Sequence, residues 1–183
     1  MQDFRSNEVV KIDLVHANLI QGLILSQKPS SILEIGLGGG RSCDAILAGI
    51  EFNKNNPKFK IVDNWMDWNY QIPQNVMEIY GKKAEIITMN EKEFVFSTKE
   101  KFDFIMSDAD HYSTNQWFEY VYENLLNYKG ILVYHDINLV DGFCPAAEIY
   151  EICKKRNIHH YLFNKNSLNE ERCQRGLLVI FKN

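Results

Sequence analysis

The chain is short of the residues that mark several classes of protein. Its four cysteines, Cys43, Cys144, Cys153 and Cys173, form no C-x-x-C pair, so they offer neither a standard zinc pattern nor a disulfide framework. A ligand set of Cys153, Cys173 and His159 or His160 fits no usual spacing, and reduced, partly buried thiols are the expectation. No apolar run approaches the ~18 residues of a membrane span. The opening stretch, MQDFRSNEVV, lacks the basic-then-apolar order of a secretory signal. A cytoplasmic protein without a membrane partner is expected. Positive charge is also in the minority, with 20 Lys and Arg against 24 Asp and Glu and a formal net charge of −4. That balance argues against nucleic acid or an anionic membrane as partner, since both reward clustered Lys and Arg. There is no internal repeat and no low-complexity linker, which leaves one domain over residues 1–183.

What is present reads as alternating helices and strands. Apolar residues at Val9, Ile12, Val15, Leu19, Ile20, Leu23 and Ile24 recur at helical period. They predict an amphipathic leading helix from about residue 7 to 27, closed by Lys28-Pro29. A core over 30–183 follows. Strands are expected at SILEIG (31–36), FKIVD (59–63), AEIITM (84–89), FDFIMSD (102–108), ILVYHD (131–136), IHHYLF (158–163) and GLLVIF (176–181). Helices are expected at 41–50, 73–81, 114–128 and 145–156, with Lys129-Gly130 ending the third of them and Pro145 opening the last. Strands separated by helices imply parallel pairing through right-handed crossovers. The fold expected is therefore α/β, a Rossmann-like doubly wound sheet of seven strands with helices on both faces. It is mostly parallel, and the last two strands, joined only by a polar loop, form an antiparallel pair.

In such sheets ligands sit at the carboxyl ends of the strands. Gly36 to Gly40, Asp63, Asn90, Asp108 and Asp136 all fall there. Four glycines within the five positions 36–40 suggest a ligand pressed against the backbone. A dinucleotide fingerprint would need a third glycine where Arg41 stands. Glu34, inside the strand end, would repel a pyrophosphate but suits the ammonium of an amino-acid ligand.

The pattern Glu34-x-Gly36-x-Gly38-x-Gly40 resembles the first motif of class I S-adenosylmethionine-dependent methyltransferases. The resemblance implies that Asp63 takes the ribose hydroxyls and that Asn90 contacts adenine. The stretches IVDNW, FDFIMSDADHY and GILVYHD are similar, in order, to later motifs of small O-methyltransferases. Those include the catechol and caffeoyl-CoA type and the related sugar- and antibiotic-modifying set. In metal-dependent members the acids matching Asp108 and Asp136 hold Mg²⁺ or another divalent cation, and Asp108 borders cofactor and acceptor alike.

The chain departs from the catechol pattern at Ile137, where those enzymes carry Asn, and His135 precedes the acid. His135 as a replacement ligand would favour Mn²⁺, Fe²⁺ or Zn²⁺ over Mg²⁺. The other reading of Asp108 and Asp136 is that they position solvent, substrate or helix ends. His111 stands where catechol-type enzymes carry a lysine base, and serves either as a catalytic base or as a brace for its loop. Trp65, Met66, Trp68 and Tyr70 follow Asp63 as a cluster that divides between flanking the cofactor, roofing the acceptor and filling the core. His16, His159 and His160 have no supporting constellation.

The resulting expectation is a methyltransferase that uses S-adenosylmethionine and acts on a hydroxyl of a small-molecule acceptor. SDADHY carries no proline, which disfavours base-directed N-methylation. A non-catalytic nucleoside-binding module and an NAD-linked oxidoreductase remain as alternatives. Acceptor contacts are expected from the leading helix, the 65–73 loop and the 141–145 loop. Such a pocket is open, or is completed by a second subunit in a homodimer.

Overall fold

The computed structural model describes residues 12–66, 69–109, 113–137, 145–163 and 176–183. Helix α1 runs Leu14–Gln27, β1 Ser31–Ile35, α2 Arg41–Asn53, β2 Lys58–Asp63, α3 Gln74–Tyr80 and β3 Glu85–Thr88. Then come α4 Glu91–Ser97, β4 Phe102–Ser107, a 3₁₀ turn Thr114–Trp117 and α5 Phe118–Tyr120. A π turn Val121–Leu125, β5 Leu126–His135, α6 Pro145–Lys155, β6 His160–Phe163 and β7 Leu177–Phe181 complete the order.

The strands make one seven-stranded sheet in the order β3-β2-β1-β4-β5-β7-β6. The first five positions pair in parallel, and β7 runs antiparallel to both β5 and β6. Alternate side chains feed opposite layers, as the period of a strand requires. Leu33, Ile35, Ile105, Leu132 and Tyr134 pack with Phe94, Phe118, Val121 and Ile149 on one face. Ile32, Ile61, Phe104, Met106 and Val133 pack with Ile20, Ile24, Ile46 and Val76 on the other. Helices α4, α5 and α6 therefore cover one face, and α1, α2 and α3 the other.

Three elements differ from the reading of the sequence. Among the described residues the leading helix begins at Leu14, and Leu14 and Val15 are exposed while Ile12, His16, Ile20 and Ile24 form its buried row. A helix not anticipated, α4, starts where Asn90 caps it by accepting from Lys92 N–H at 2.9 Å, with Glu91 and Glu93 in its first turn. The helix expected over 114–128 breaks into 3₁₀, α and π turns and ends at Leu125. There Leu126 N–H reaches Val121 O, and this wider turn lets Leu125 and Leu126 both enter the core. Strand β5 consequently begins at Leu126 and carries an irregularity opposite Phe102–Phe104. Lys129, expected to close a helix, sits inside this strand with a left-handed φ of 64°.

Candidate active site

Parallel pairing continues past the strands and draws their carboxyl ends together. Gly36 N–H donates to Val62 O at 2.8 Å, Asp108 N–H to Ile35 O at 2.8 Å and Met89 N–H to Asp63 O at 3.1 Å. A Cβ on Gly36 would lie 2.4 Å from Asp108 O and 2.9 Å from Ala109 N. The first glycine of the turn thus serves the chain's own close approach of β1 to the end of β4. Gly36, Gly38 and Gly40 have φ of 86°, 51° and 78°, a region that glycine enters without strain. Gly40 then opens α2, and Tyr80 holds that corner by donating from its hydroxyl to Asp44 Oδ1 at 2.9 Å.

Two carboxylates flank this turn. Asp63 is half-buried; Oδ2 accepts from Leu37 N–H at 2.8 Å and Oδ1 from Trp65 N–H at 2.6 Å. It therefore joins the end of β2 to the glycine turn. Glu34 is fully buried, with Oε1 accepting from the Ser42 hydroxyl and Oε2 without a hydrogen-bond partner. Burial pushes its carboxyl up to about 8, against the lowering effect of its hydrogen bonds.

The cluster after Asp63 divides. Trp65 is 0% exposed, packs in the core and donates from its indole N–H to Thr88 Oγ1 at 2.9 Å. Of the three places expected for this cluster, the Trp65 ring therefore takes the core. Its backbone has φ 60°, strained for a bulky residue, and is held there by ring burial and the bond to Asp63. Met66 and Tyr70 are exposed and remain on the open side. Asn90 is exposed, with its side-chain oxygen occupied in capping α4.

At the other end of the edge, His135 Nδ1 lies 3.1 Å from Asp108 Oδ1 and 3.1 Å from Asp136 Oδ1. The three residues expected to form a metal set are thus brought together, with ligand atoms within 4.8 Å of one another. Burial opposes charge on His135, but Asp108 and then Asp136 outweigh it, and its pKa rises to about 9. The imidazolium supplies the positive charge that two neighbouring carboxylates need. Asp136 takes a left-handed φ of 57° to present its side chain here.

His16 was expected to be without a supporting constellation, and the structure corrects this. It is 2% exposed and meets the His135 ring edge-to-face at a centroid distance of 5.3 Å. Burial, and then the His135 charge, lower its pKa. The signal in the sequence was the i, i+4 row Ile12-His16-Ile20-Ile24, in which the histidine takes a core position. Glu91 also escaped notice. Buried beneath the edge, its Oε1 accepts from Ser107 Oγ at 3.1 Å, Thr114 Oγ1 at 3.3 Å and Trp117 Nε1 at 3.1 Å. It fastens the chain on both sides of residues 110–112. His111, the expected base, lies outside the described residues, as do Trp68, Cys144, Cys173 and the 141–144 part of the acceptor loop. Cys43 and Cys153 are buried thiols, and His159 and His160 lie at β6, beside Tyr161 and Tyr150.

Residues 33–137 match the family model of a methyltransferase domain. The fold is similar to that of the O-methyltransferase TomG from Streptomyces achromogenes, involved in tomaymycin synthesis and solved with S-adenosylmethionine. Identity there is 12%, coverage 95% of this chain and 82% of that one, and the TM-score 0.73. An O-methyltransferase from Bacillus cereus, in complex with S-adenosylhomocysteine, is 15% identical over 97% of this chain and 85% of its own, at a TM-score of 0.68. The methyltransferase PaMTH1 of Podospora anserina, also bound to S-adenosylhomocysteine, is 16% identical over 96% and 81%, at 0.70. Among curated proteins none matches in sequence.

Proposed function

The chain belongs to the methyltransferase family, and from that premise we propose that it moves the methyl group of S-adenosylmethionine to a hydroxyl oxygen of a small molecule. The observation that carries this reading is Asp63. Each of its oxygens accepts from a backbone N–H, one of them from the glycine turn, which fixes the plane of the carboxylate. A carboxylate so held, and only half-buried, suits the paired hydroxyls of a ribose. Glu34 supports the same ligand, because its buried carboxyl has an oxygen without a hydrogen bond that an arriving amino-acid ammonium can pair with as the acid gives up its proton. Asn90, its oxygen engaged in the cap, offers its amide nitrogen to a nucleobase.

When bound, the cofactor supplies a sulfonium methyl open to in-line displacement. The protein's part is then alignment of the acceptor oxygen and disposal of its proton. Asp108, Asp136 and His135 are the residues that would hold a divalent ion at the acceptor, where it would lower the pKa of a bound hydroxyl. Their 3.1 Å spacing suits neighbouring ligands of one ion. With a proton instead of an ion there, His135 is already charged at neutral pH and is no base. We assign the base to His111, three residues beyond Asp108. The acceptor pocket lies open at this edge, or a second copy of the chain completes it.

The test is a thermal-shift series followed by transfer assays. S-adenosylmethionine and S-adenosylhomocysteine are expected to raise the melting temperature, and NAD and NADP to leave it unchanged. Asp63→Ala should lose most of the shift, since two charge-assisted hydrogen bonds at roughly 1.5–3 kcal/mol each disappear. The melting temperature without ligand separates that loss from damage to the turn. Strong NAD binding with no response to the sulfonium overturns the reading. Cofactor binding without transfer to any of a panel of hydroxylated acceptors points to a non-catalytic module.

A further inference from the structure

The two ring nitrogens of His135 face different surroundings. Nδ1 hydrogen-bonds to Asp108 Oδ1 and lies 3.1 Å from Asp136 Oδ1, whereas Nε2 is buried with no hydrogen-bond partner. His16 Nδ1, on the neighbouring ring, is likewise buried and unpartnered. Asp13, at the start of α1, brings Oδ2 to 3.8 Å from that nitrogen. One ligand atom from each of Asp13, His16 and His135 lies within 4.8 Å of the others. Two imidazoles packed edge-to-face, each with an unsatisfied buried nitrogen, are costly, because each nitrogen loses its hydration with nothing to replace it.

We propose that Asp13, His16 and His135 form a site for a divalent transition metal of the Zn²⁺ class, separate from the acidic pair and joining α1 to the end of β5. Two imidazoles and one carboxylate are a donor set that favours such an ion over Mg²⁺. Asp108 completes the arrangement from behind. By accepting from Nδ1–H at 3.1 Å it holds the ring in place, so that an ion displacing the Nε2 proton meets the lone pair left there, a carboxylate–histidine–metal relay. Asp13, with a side chain 44% exposed, gives the ion a way in, while both histidines are shielded from water. Ligand atoms on one zinc ion stand about 3.3 Å apart, so the groups need to close by an ångström or so.

Titration of the metal-stripped full chain with Co²⁺, followed by its visible absorption, tests this. One equivalent is expected to bind with the strong bands of a four-coordinate ion, and equimolar Zn²⁺ to bleach them. His16→Gln should weaken binding at least about 100-fold, given that even second-sphere changes cost 10- to 100-fold. Asp13→Asn, a change at an exposed position, should weaken it about tenfold or more with the fold intact. Asp136→Asn should keep the spectrum. Three results overturn the proposal: no stoichiometric Co²⁺ binding, affinity unaltered in Asp13→Asn, or loss of the spectrum in Asp136→Asn. The last would put the ion on the acidic pair. Methyl transfer is not the readout, so the outcome is independent of the activity proposed above.

Discussion

Glu34 combines complete burial with a carboxyl raised to about 8, and stability without ligand should show it. The folded state holds a proton that the unfolded chain, with a value near 4.5, has released. Stability from this group is full below about 4.5 and is lost as pH rises through 8. Glu34→Gln removes the loss, and should be more stable than the parent at pH 8 by about 1–3 kcal/mol while matching it at pH 4. Urea unfolding at the two pH values checks this; an equal difference at both would sink it. The same variant should bind S-adenosylmethionine more weakly, which makes the position a compromise between stability and ligand. The motif around Glu34 was legible in sequence, but the state of the carboxyl was not. Its proton follows from how completely Ser42 and the turn cover it, and composition carries no trace of that.

At the scale of elements, the junction of β1 with β4 shows where reading glycines by motif stops. The sequence marks the turn correctly and assigns its glycines to a ligand. Gly36 makes room for the Asp108 carbonyl as well. Gly36→Ala should therefore lower stability by about 1–3 kcal/mol with no cofactor present, since both the left-handed φ and the contact are violated. Chemical denaturation of the ligand-free variant measures it, and an unchanged midpoint would return this glycine to the ligand. The strand ends were readable because buried parallel strands are apolar runs that stop at a polar residue. Helix α4 was not, because its seven residues, Glu91–Ser97, are too few to show a period. The π turn before β5 was hidden as well: Leu125 and Leu126 look like one helical face until the sheet claims the second. His16 went unnoticed because its partner lies on β5, far along the chain.

For the whole molecule, sheet order sets which parts open first. Strands β1, β4 and β5 are flanked on both sides and largely buried, while β3 and β6 are edges with no fully buried residue. Native-state hydrogen exchange should find the slowest amides in β1, β4 and β5 and the fastest strand amides in β6. Protection of β6 equal to that of β4 would mean that the edge is covered in solution, as a dimer through it would require.

The position of β7 bears on how the chain comes off the ribosome. It follows β6 in sequence yet lies between β5 and β6, pairing Leu177 with His135 and Leu178 with Tyr134. Synthesis delivers β1 to β5 and the glycine turn first, and β6 emerges before it has a neighbour to join. Until residues 177–181 leave the exit tunnel, the outer edge of β5 stays unpaired. The end of the edge bearing the glycine turn and Asp63 can thus take shape during translation, whereas the end bearing His135 and Asp136 is framed only when β7 slides into its slot.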